Sequence, residues 1–230
     1  MAGVWHYIPP MAAPGETQMA IDRWLLDQHL QGNIPSVLRF YTWQPAAISL
    51  GYHQRNYPEF WENLTYQGEK IDLVRRPSGG RAVLHQGDLT YAIVTSGLTG
   101  DRQKNYETLC QFLIAGFEKL GISLSYGQQQ RNYEHFDSCF RTHTKADLVT
   151  ESGYKLIGSA QLRRQGAILQ HGSIRLNPDP ALYELVFGEK LMLSSPPAPL
   201  STTELIAVLR ENLQTCFGVT LQGSLLPLER

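Results

Sequence analysis

Cysteine, net charge and long apolar runs are all scarce in this sequence of 230 residues. Its three cysteines cannot all pair with one another, and none is spaced from another like a zinc-ligand or redox pair, which favours a reducing, cytoplasmic location. No stretch approaches the roughly 20 apolar residues that span a bilayer. The N-terminus has no basic start followed by an apolar core, so we expect neither membrane insertion nor export. With a net charge of −1, we also expect no general attraction to nucleic acid.

No internal repeat and no low-complexity tract divides the chain. Hydrophobic residues make up 42% of the sequence and charged residues 18%, which is typical of a globular protein with a substantial core. The stretch SSPPAPLS, at 194–201, has the composition of a linker and precedes a predicted helix. We therefore expect residues 1–230 to form a single domain in which this proline-rich linker leads to a C-terminal helix.

Helical and strand-like patterns alternate irregularly along the chain. Apolar residues recur at helical spacing after Glu16 and again within 105–121. Residues 146–176 predict a meander of three strands, with turns at 152–153 and 164–166. This irregular order favours an α+β fold, with a mixed β-sheet flanked by helices, over a doubly wound parallel sheet.

The most unusual segment, RRPSGGRAVLHQGDLTY, runs from residue 75 to residue 91. Its paired glycines can adopt conformations closed to other residues and can bring backbone N–H groups close to a ligand. It lacks the Gly-Lys-Ser/Thr ending of a nucleotide-binding P-loop and the glycine spacing of a dinucleotide-binding turn. By itself, it predicts contact with an anion or an acyl carbonyl. The candidate binding residues here are Arg75, Arg76, Gly79, Gly80, Arg81 and His85.

A second cluster of small and polar residues lies on two neighbouring strands of the predicted meander. The small residues at 158–160 would let a ligand approach the backbone, and a polar segment, 170–173, lies on the next strand, so together they suggest the wall of a pocket. Lys155 precedes the small residues and is either a solvated charge or a member of the site. The candidate binding residues on these strands are Gly158, Ser159, Ala160, Gln161, His171 and Gly172.

The three cysteines fall in different settings. Cys110 and Cys216 lie on the apolar faces of predicted helices, where cysteine is usually an inert packing residue. Cys139 instead lies in a long polar segment among histidines, arginine and lysine, where it is either an exposed loop thiol or a reactive one.

Taken together, the blocks RRPSGGRAVLHQGDLTYAIV and YKLIGSAQLRRQGAILQHGSI resemble the two hallmark segments of the lipoate-protein ligase and octanoyltransferase catalytic domain, which is related to biotin protein ligases. The segments TQMAIDRWLLD and LRFYTWQPAAISLGYHQ fit as well, so the resemblance runs from about residue 17 to residue 177. It implies a mixed sheet packed with helices, as in class II aminoacyl-tRNA synthetases and biotin protein ligases. It also implies that the glycine turn and residues 158–160 flank a slot for a medium-length acyl chain, with Lys155 as the active-site lysine.

This family resemblance leaves several chemistries open. A lipoate-protein ligase uses ATP and Mg to activate lipoate as an adenylate, then passes it to a lysine of a carrier domain. A biotin ligase applies adenylate chemistry to another acid. An octanoyltransferase takes octanoate from acyl carrier protein through a cysteine thioester and needs no cofactor. A non-catalytic relative would only bind the acyl group or the lipoyl domain.

Two features resemble the cysteine-dependent octanoyltransferase branch. Arg81 follows the glycine pair where ligases usually have a third glycine, and Cys139 lies sixteen residues before Lys155, where that branch carries its nucleophile. The resemblance implies transfer of an octanoyl or lipoyl group from acyl carrier protein, through a Cys139 thioester, to the lysine of a lipoyl domain or of the glycine cleavage H protein. The alternative is an ATP-dependent lipoate-protein ligase.

The implied mechanism assigns roles to several of these residues. The Lys155 ammonium near Cys139 would lower the pKa of the thiol, and backbone N–H groups of the small-residue segments would stabilise the oxyanion. His85 and His171 are expected to support the structure or position the substrate. Residues 131–175 hold seven Lys/Arg against four Asp/Glu, which form either a docking face for acidic carrier proteins or a solvated strand edge.

Overall fold

The computed structural model of the protein describes residues 3–127, 147–190 and 200–226. Within these ranges the α-helices are α1 (Gly15–Leu30), α2 (Arg102–Lys119), α3 (Pro180–Phe187) and α4 (Thr202–Phe217), and a short 3-10 helix spans Glu59–Asn63. The strands are β1 (Gly3–Ala13), β2 (Val37–Trp43), β3 (Ala47–Leu50), β4 (Thr65–Tyr66), β5 (Glu69–Lys70), β6 (Asp72–Arg75), β7 (Val83–His85), β8 (Asp88–Ser96), β9 (Leu124–Tyr126), β10 (Asp147–Thr150), β11 (Lys155–Arg164), β12 (Ala167–Arg175) and β13 (Val219–Gly223). None of the helices in the described ranges is long and apolar enough to cross a membrane.

The main sheet is mixed, with the strand order β13-β1-β2-β8-β12-β11-β10-β9. β1 runs parallel to β13 and to β2, whereas the other neighbours are antiparallel. A smaller sheet, β6-β3-β7, carries the glycine turn between β6 and β7, and β4 pairs with β5. The predicted α+β fold, a mixed sheet flanked by helices, is confirmed.

Helices cover both faces of the main sheet. α2 and α4 pack on one face, where Leu113 and Leu209 are fully buried. α1 packs on the other face through Met19 and Leu25. A third apolar cluster, around Trp61, joins the small sheet to α3. Because both faces are covered, β8 and β12 are buried along nearly their whole length.

Local patterns predict most of these elements, including α1, α2 and the meander β10-β11-β12. They do not predict β1, because Pro9 and Pro10 interrupt its pattern and prolines cannot donate backbone hydrogen bonds. The register between β1 and β2 shifts between Ile8 and Met11, so both prolines lie at this irregularity. The strand therefore keeps its pairing on either side of them.

Candidate active site

A cavity opens where the glycine turn approaches the main sheet. Its empty volume, including the open mouth, is about 580 Å³. We call it the first cavity. Its wall combines apolar side chains with buried polar groups and the backbone of small residues, as is usual for ligand pockets. Among the residues predicted from the sequence, it is lined by Arg76, Gly79, Gly80, His85, Gly158, Ser159, Ala160, His171 and Gly172.

Arg76 holds the glycine turn from inside the protein. It is buried, and its Nη1 donates to the carbonyl of Ser49 at 2.7 Å. Its Nη2 donates to the carbonyls of Gly79 and Arg81 at 2.8 and 2.6 Å. Gly80 adopts a φ of 96°, a conformation that favours glycine. The guanidinium therefore shapes the cavity wall by fixing the backbone of the turn.

The flanking arginines have other surroundings. Arg75 Nη1 donates to the carbonyls of Gly51 and Gln54, each at 2.7 Å, so it braces the loop that follows β3. Arg81 contributes its carbonyl to the hydrogen bond with Arg76. Neither Arg75 nor Arg81 is among the described residues that line the first cavity.

Gly51, which the sequence reasoning does not single out, makes a close approach to the turn. A Cβ built at Gly51 would lie 1.8 Å from the carbonyl oxygen of Gly80. Only a glycine therefore allows the end of β3 to lie against the turn. The sequence signal for such an approach is a glycine at the end of a predicted strand.

His85 lies in a buried chain of hydrogen bonds. Its Nε2 is 2.8 Å from Ser49 Oγ, and its Nδ1 is 2.9 Å from Asp88 Oδ2. Its ring stacks on Trp43 with the ring centroids 3.9 Å apart. Burial lowers the pKa of His85 below its ordinary value of 6.5, although the Asp88 carboxylate acts in the opposite direction. Ser49 Oγ also accepts from Arg76 Nη1 at 3.2 Å, so this chain ties the histidine to the glycine turn.

His171 joins the glycine turn to α1. Its Nδ1 is 2.8 Å from Asp22 Oδ2, and its Nε2 contacts the hydroxyl of Ser78, which begins the turn. Asp22 is fully buried and also receives hydrogen bonds from Tyr41 at 3.0 Å and from Arg39 at 3.1 Å. Asp22, Tyr41 and Arg39 are not among the site residues predicted from the sequence. For Asp22 and Arg39 the sequence signal is a charged residue on an otherwise apolar helix or strand face, since buried charges require partners.

Lys155 is buried at the start of β11, and its Nζ lies 2.9 Å from Asp147 Oδ1. Both side chains are almost completely enclosed, and Asp147 lines the first cavity. Of the two expectations for this lysine, the solvated charge is therefore wrong. The predicted catalytic role stays a prediction, but the ammonium is held beside the cavity wall by its carboxylate partner.

The small residues of β11 pair with β12 along the cavity wall. Ser159 is opposite Gly172, and Ala160 is opposite His171. Ser159 Oγ lies 2.8 Å from the hydroxyl of Tyr91. A Cβ at Gly172 would lie 2.4 Å from Ser159 Oγ and 2.6 Å from a ring carbon of Tyr91. A glycine at 172 is therefore required for this pairing.

A second cavity, of about 840 Å³ including its open mouth, adjoins the first. It shares Gly79, Gly80, Ser159 and Ala160 with the first cavity and is lined in addition by Arg102, Gln103, Tyr106 and Gln161. Gln161 is thus brought to the second cavity and does not line the first.

The predicted nucleophile, Cys139, lies outside the described residues. Cys110 is buried as expected, and burial raises the pKa of its thiol to about 12, so it is inert. Cys216 is exposed, which corrects the expectation of a packing residue: it lies in the last turn of α4, one residue before the helix ends and beyond the last buried leucine, Leu213. In the described part of the chain, no group of three or more His, Cys, Asp or Glu side chains could hold a metal ion.

Comparison with known proteins identifies the family of this chain. The family model for the lipoyl protein ligase A/B catalytic domain matches residues 14–216. The octanoyltransferase LipM of Brevibacillus brevis is 38% identical over 187 residues, a match that covers 76% of this chain and 67% of the relative.

Solved structures show the same fold at lower identity. Lipoate-protein ligase A bound with ATP superposes with a TM-score of 0.74 at 20% identity, over 99% of this chain and 90% of the other. A bipartite lipoate protein ligase from Thermoplasma acidophilum, studied with its E2 lipoyl domain, has a TM-score of 0.73 at 19% identity, over 98% and 88% of the two chains. The predicted family is confirmed: the chain belongs to the lipoyl protein ligase A/B catalytic domain family.

Proposed function

We propose that this protein is an acyltransferase of protein lipoylation, which transfers an octanoyl or lipoyl group to the lysine of a lipoyl-carrier domain. The observation that carries the proposal is the 38% identity, over 187 residues, to the octanoyltransferase of Brevibacillus brevis. The first cavity supports it, because Met19, Tyr41, Trp43 and Val83 provide apolar wall for an acyl chain.

The proposed donor is the octanoyl thioester of acyl carrier protein. The Cys139 thiolate attacks the acyl carbonyl, a new carbon–sulfur bond forms, and the carrier thiol leaves and takes up a proton. The neutral amine of the target lysine then attacks the enzyme thioester, the carbon–sulfur bond breaks, and the Cys139 thiolate is released. The new amide nitrogen gives up one proton, which replaces the proton taken up by the carrier thiol in the first step. Because one thioester replaces another in the first step and the second step is downhill, neither ATP nor another cofactor is required.

Lys155 is proposed to stabilise the thiolate and to orient the incoming amine. The geometry that supports this role is its 2.9 Å contact with Asp147, which lines the cavity. A nearby ammonium favours the ionised form of a thiol and so lowers its pKa. The backbone N–H groups of Gly79, Gly80 and Ser159 are the candidate donors to the oxyanion of the tetrahedral intermediate.

The proposed acceptors are lipoyl domains and the glycine cleavage H protein. The archaeal lipoate protein ligase of the same fold was studied with its E2 lipoyl domain. We further propose that residues 1–230 act as a single catalytic domain. We propose the cytoplasm as the place of action, because thiols are kept reduced there.

The test combines purified protein, octanoyl-acyl carrier protein and an apo lipoyl domain, with and without ATP, and follows the mass of the lipoyl domain. We expect modification without ATP by the wild type and by the matched control Cys216→Ala, and none by Cys139→Ala. Modification that requires ATP and free lipoate, and that persists in Cys139→Ala, would establish the ligase alternative instead. Binding of the lipoyl domain without modification under either condition would contradict both enzymatic functions.

A further inference from the structure

The second cavity adjoins the first along a seam of small residues. Gly79 and Gly80 of the turn, and Ser159 and Ala160 of β11, belong to both linings. The boundary that the two cavities have in common is therefore made of small residues only. The reacting carbonyl of an acyl donor would lie at this seam if the acyl chain filled the first cavity.

Gln161 lines the second cavity and carries a hydrogen-bond acceptor that no described residue uses. The residue is only 7% exposed, and its Nε2 donates to Gln170 Oε1 at 2.7 Å. Its Oε1 is buried and has no hydrogen-bond partner among the described residues. Because a buried acceptor without a donor is unfavourable, we expect this oxygen to accept a hydrogen bond from an N–H group of a ligand.

The charge of the second cavity selects among possible ligands. Arg102 is the only charged side chain among the described residues that line it, and it is exposed on the first turn of α2. A cationic group such as the target lysine is disfavoured beside this guanidinium. A ligand with a neutral N–H donor and an anionic outer end is favoured instead.

We propose that the second cavity binds the phosphopantetheine arm of the thioester donor, an inference that rests on the proposed acyltransferase function. This arm has neutral amide groups between a thioester at one end and a phosphate at the other. An amide N–H donates to Gln161 Oε1, the phosphate lies at Arg102, and the thioester reaches the shared seam of Gly79, Gly80, Ser159 and Ala160. The donor thereby enters through the second cavity, and its acyl chain extends into the first.

The experiment compares thioester donors of the octanoyl group that differ only in the thiol: phosphopantetheine, pantetheine without phosphate, and ethanethiol without an amide. For each donor, the KM and kcat of transfer to an apo lipoyl domain are measured for the wild type, Arg102→Gln and Gln161→Leu. The matched control Lys104→Gln removes an exposed positive charge of the same helix that does not line the cavity.

We expect Arg102→Gln to raise the KM for the phosphopantetheine donor by about fivefold, with no change for the other two donors or in Lys104→Gln. Gln161→Leu should raise the KM by about tenfold for both pantetheine donors and leave the ethanethiol donor unchanged. Because Arg102 is exposed, its variant tests the proposal even if Gln161→Leu does not fold.

Equal changes for all three donors, or no change for any, would overturn the phosphopantetheine site while leaving the acyltransferase function in place. If the wild type transfers the octanoyl group from none of the thioesters, including octanoyl-acyl carrier protein, the function itself fails. The two failures are therefore distinguishable.

Discussion

At the scale of single residues, the site is built from buried polar groups that satisfy one another. Asp88 accepts from Ser173 at 2.7 Å, from Thr90 at 3.1 Å and from the His85 ring at 2.9 Å. Asp22 likewise accepts a hydrogen bond from the His171 ring at 2.8 Å. Since an unpaired buried carboxylate is strongly unfavourable, each aspartate confines its histidine to one orientation on the cavity wall.

The lowered pKa of His85 predicts a specific dependence of stability on pH. Burial favours the neutral ring in the folded state, so the unfolded chain binds more protons below its ordinary pKa of 6.5. The contribution of His85 to the free energy of unfolding is therefore present in full above pH 6.5. It is lost as the pH falls from there through the lower pKa that the ring has in the folded state. In urea unfolding, the difference in stability between the wild type and His85→Gln should shrink between pH 7.5 and pH 5.5.

An exposed histidine provides the control for this measurement. His53→Gln removes an exposed imidazole and is measured at the same pH values as the matched control. A stability difference between the wild type and His85→Gln that stays constant, or grows, on acidification would contradict the assignment.

At the scale of elements, the site depends on how closely the small sheet lies against the glycine turn. β3 pairs with β6 on one side and with β7 on the other, so it lies between the two strands that the turn connects. Arg76 and His85 both bond to Ser49 on β3. The turn is therefore positioned by the strand between its two ends, and not by its own residues alone.

Two glycine substitutions separate the packing of the turn from its contact with ligand. Gly51→Ala would place a methyl group 1.8 Å from a backbone oxygen of Gly80, so we expect a loss of about 3 kcal/mol or more in the free energy of unfolding. Gly79→Ala meets no atom within 4 Å, and its stability should stay within about 0.5 kcal/mol of the wild type.

Because Gly79 lines both cavities, the added methyl group should instead raise the KM for the acyl donor. The measurements are urea unfolding and the transfer assay for each variant. If Gly51→Ala is as stable as Gly79→Ala, the inference that the end of β3 lies in close contact with the glycine turn is contradicted.

At the scale of the whole molecule, the C-terminal segment forms part of the main core. Leu205, Leu209 and Leu213 of α4 are fully buried against α2 and the main sheet, and β13 extends that sheet beside β1. The segment with a linker-like composition is therefore followed by a helix that belongs to the main core. This arrangement supports the proposed single domain.

Deletion of residues 201–230 should abolish cooperative folding. Burial of the three leucines contributes about 5–9 kcal/mol, which is comparable to the whole stability of a typical domain. Thermal unfolding followed by circular dichroism should show no cooperative transition for the truncated chain. The matched control, deletion of residues 227–230 alone, should retain it. A cooperative transition in the longer deletion would mean that the segment is a separate unit.

The sequence by itself determined the elements whose signals are local. The helices α1 and α2 and the meander follow from the spacing of apolar residues, because each pattern reports which side of one element faces the core. The two motif blocks also identified the family and most of the residues that line the first cavity. Each block is a run of consecutive residues, so it can be recognised without knowledge of the fold.

Only the tertiary structure decided which of these residues meet. Arg75 and Arg76 are neighbours of the same chemical type, yet one braces a loop and the other holds the glycine turn. Asp22 and Gly51 join the site from segments far from both motif blocks. Hydrogen bonding and steric fit act between atoms a few ångströms apart whatever their separation along the chain, so these partners could be assigned only once the sheets and α1 were in place.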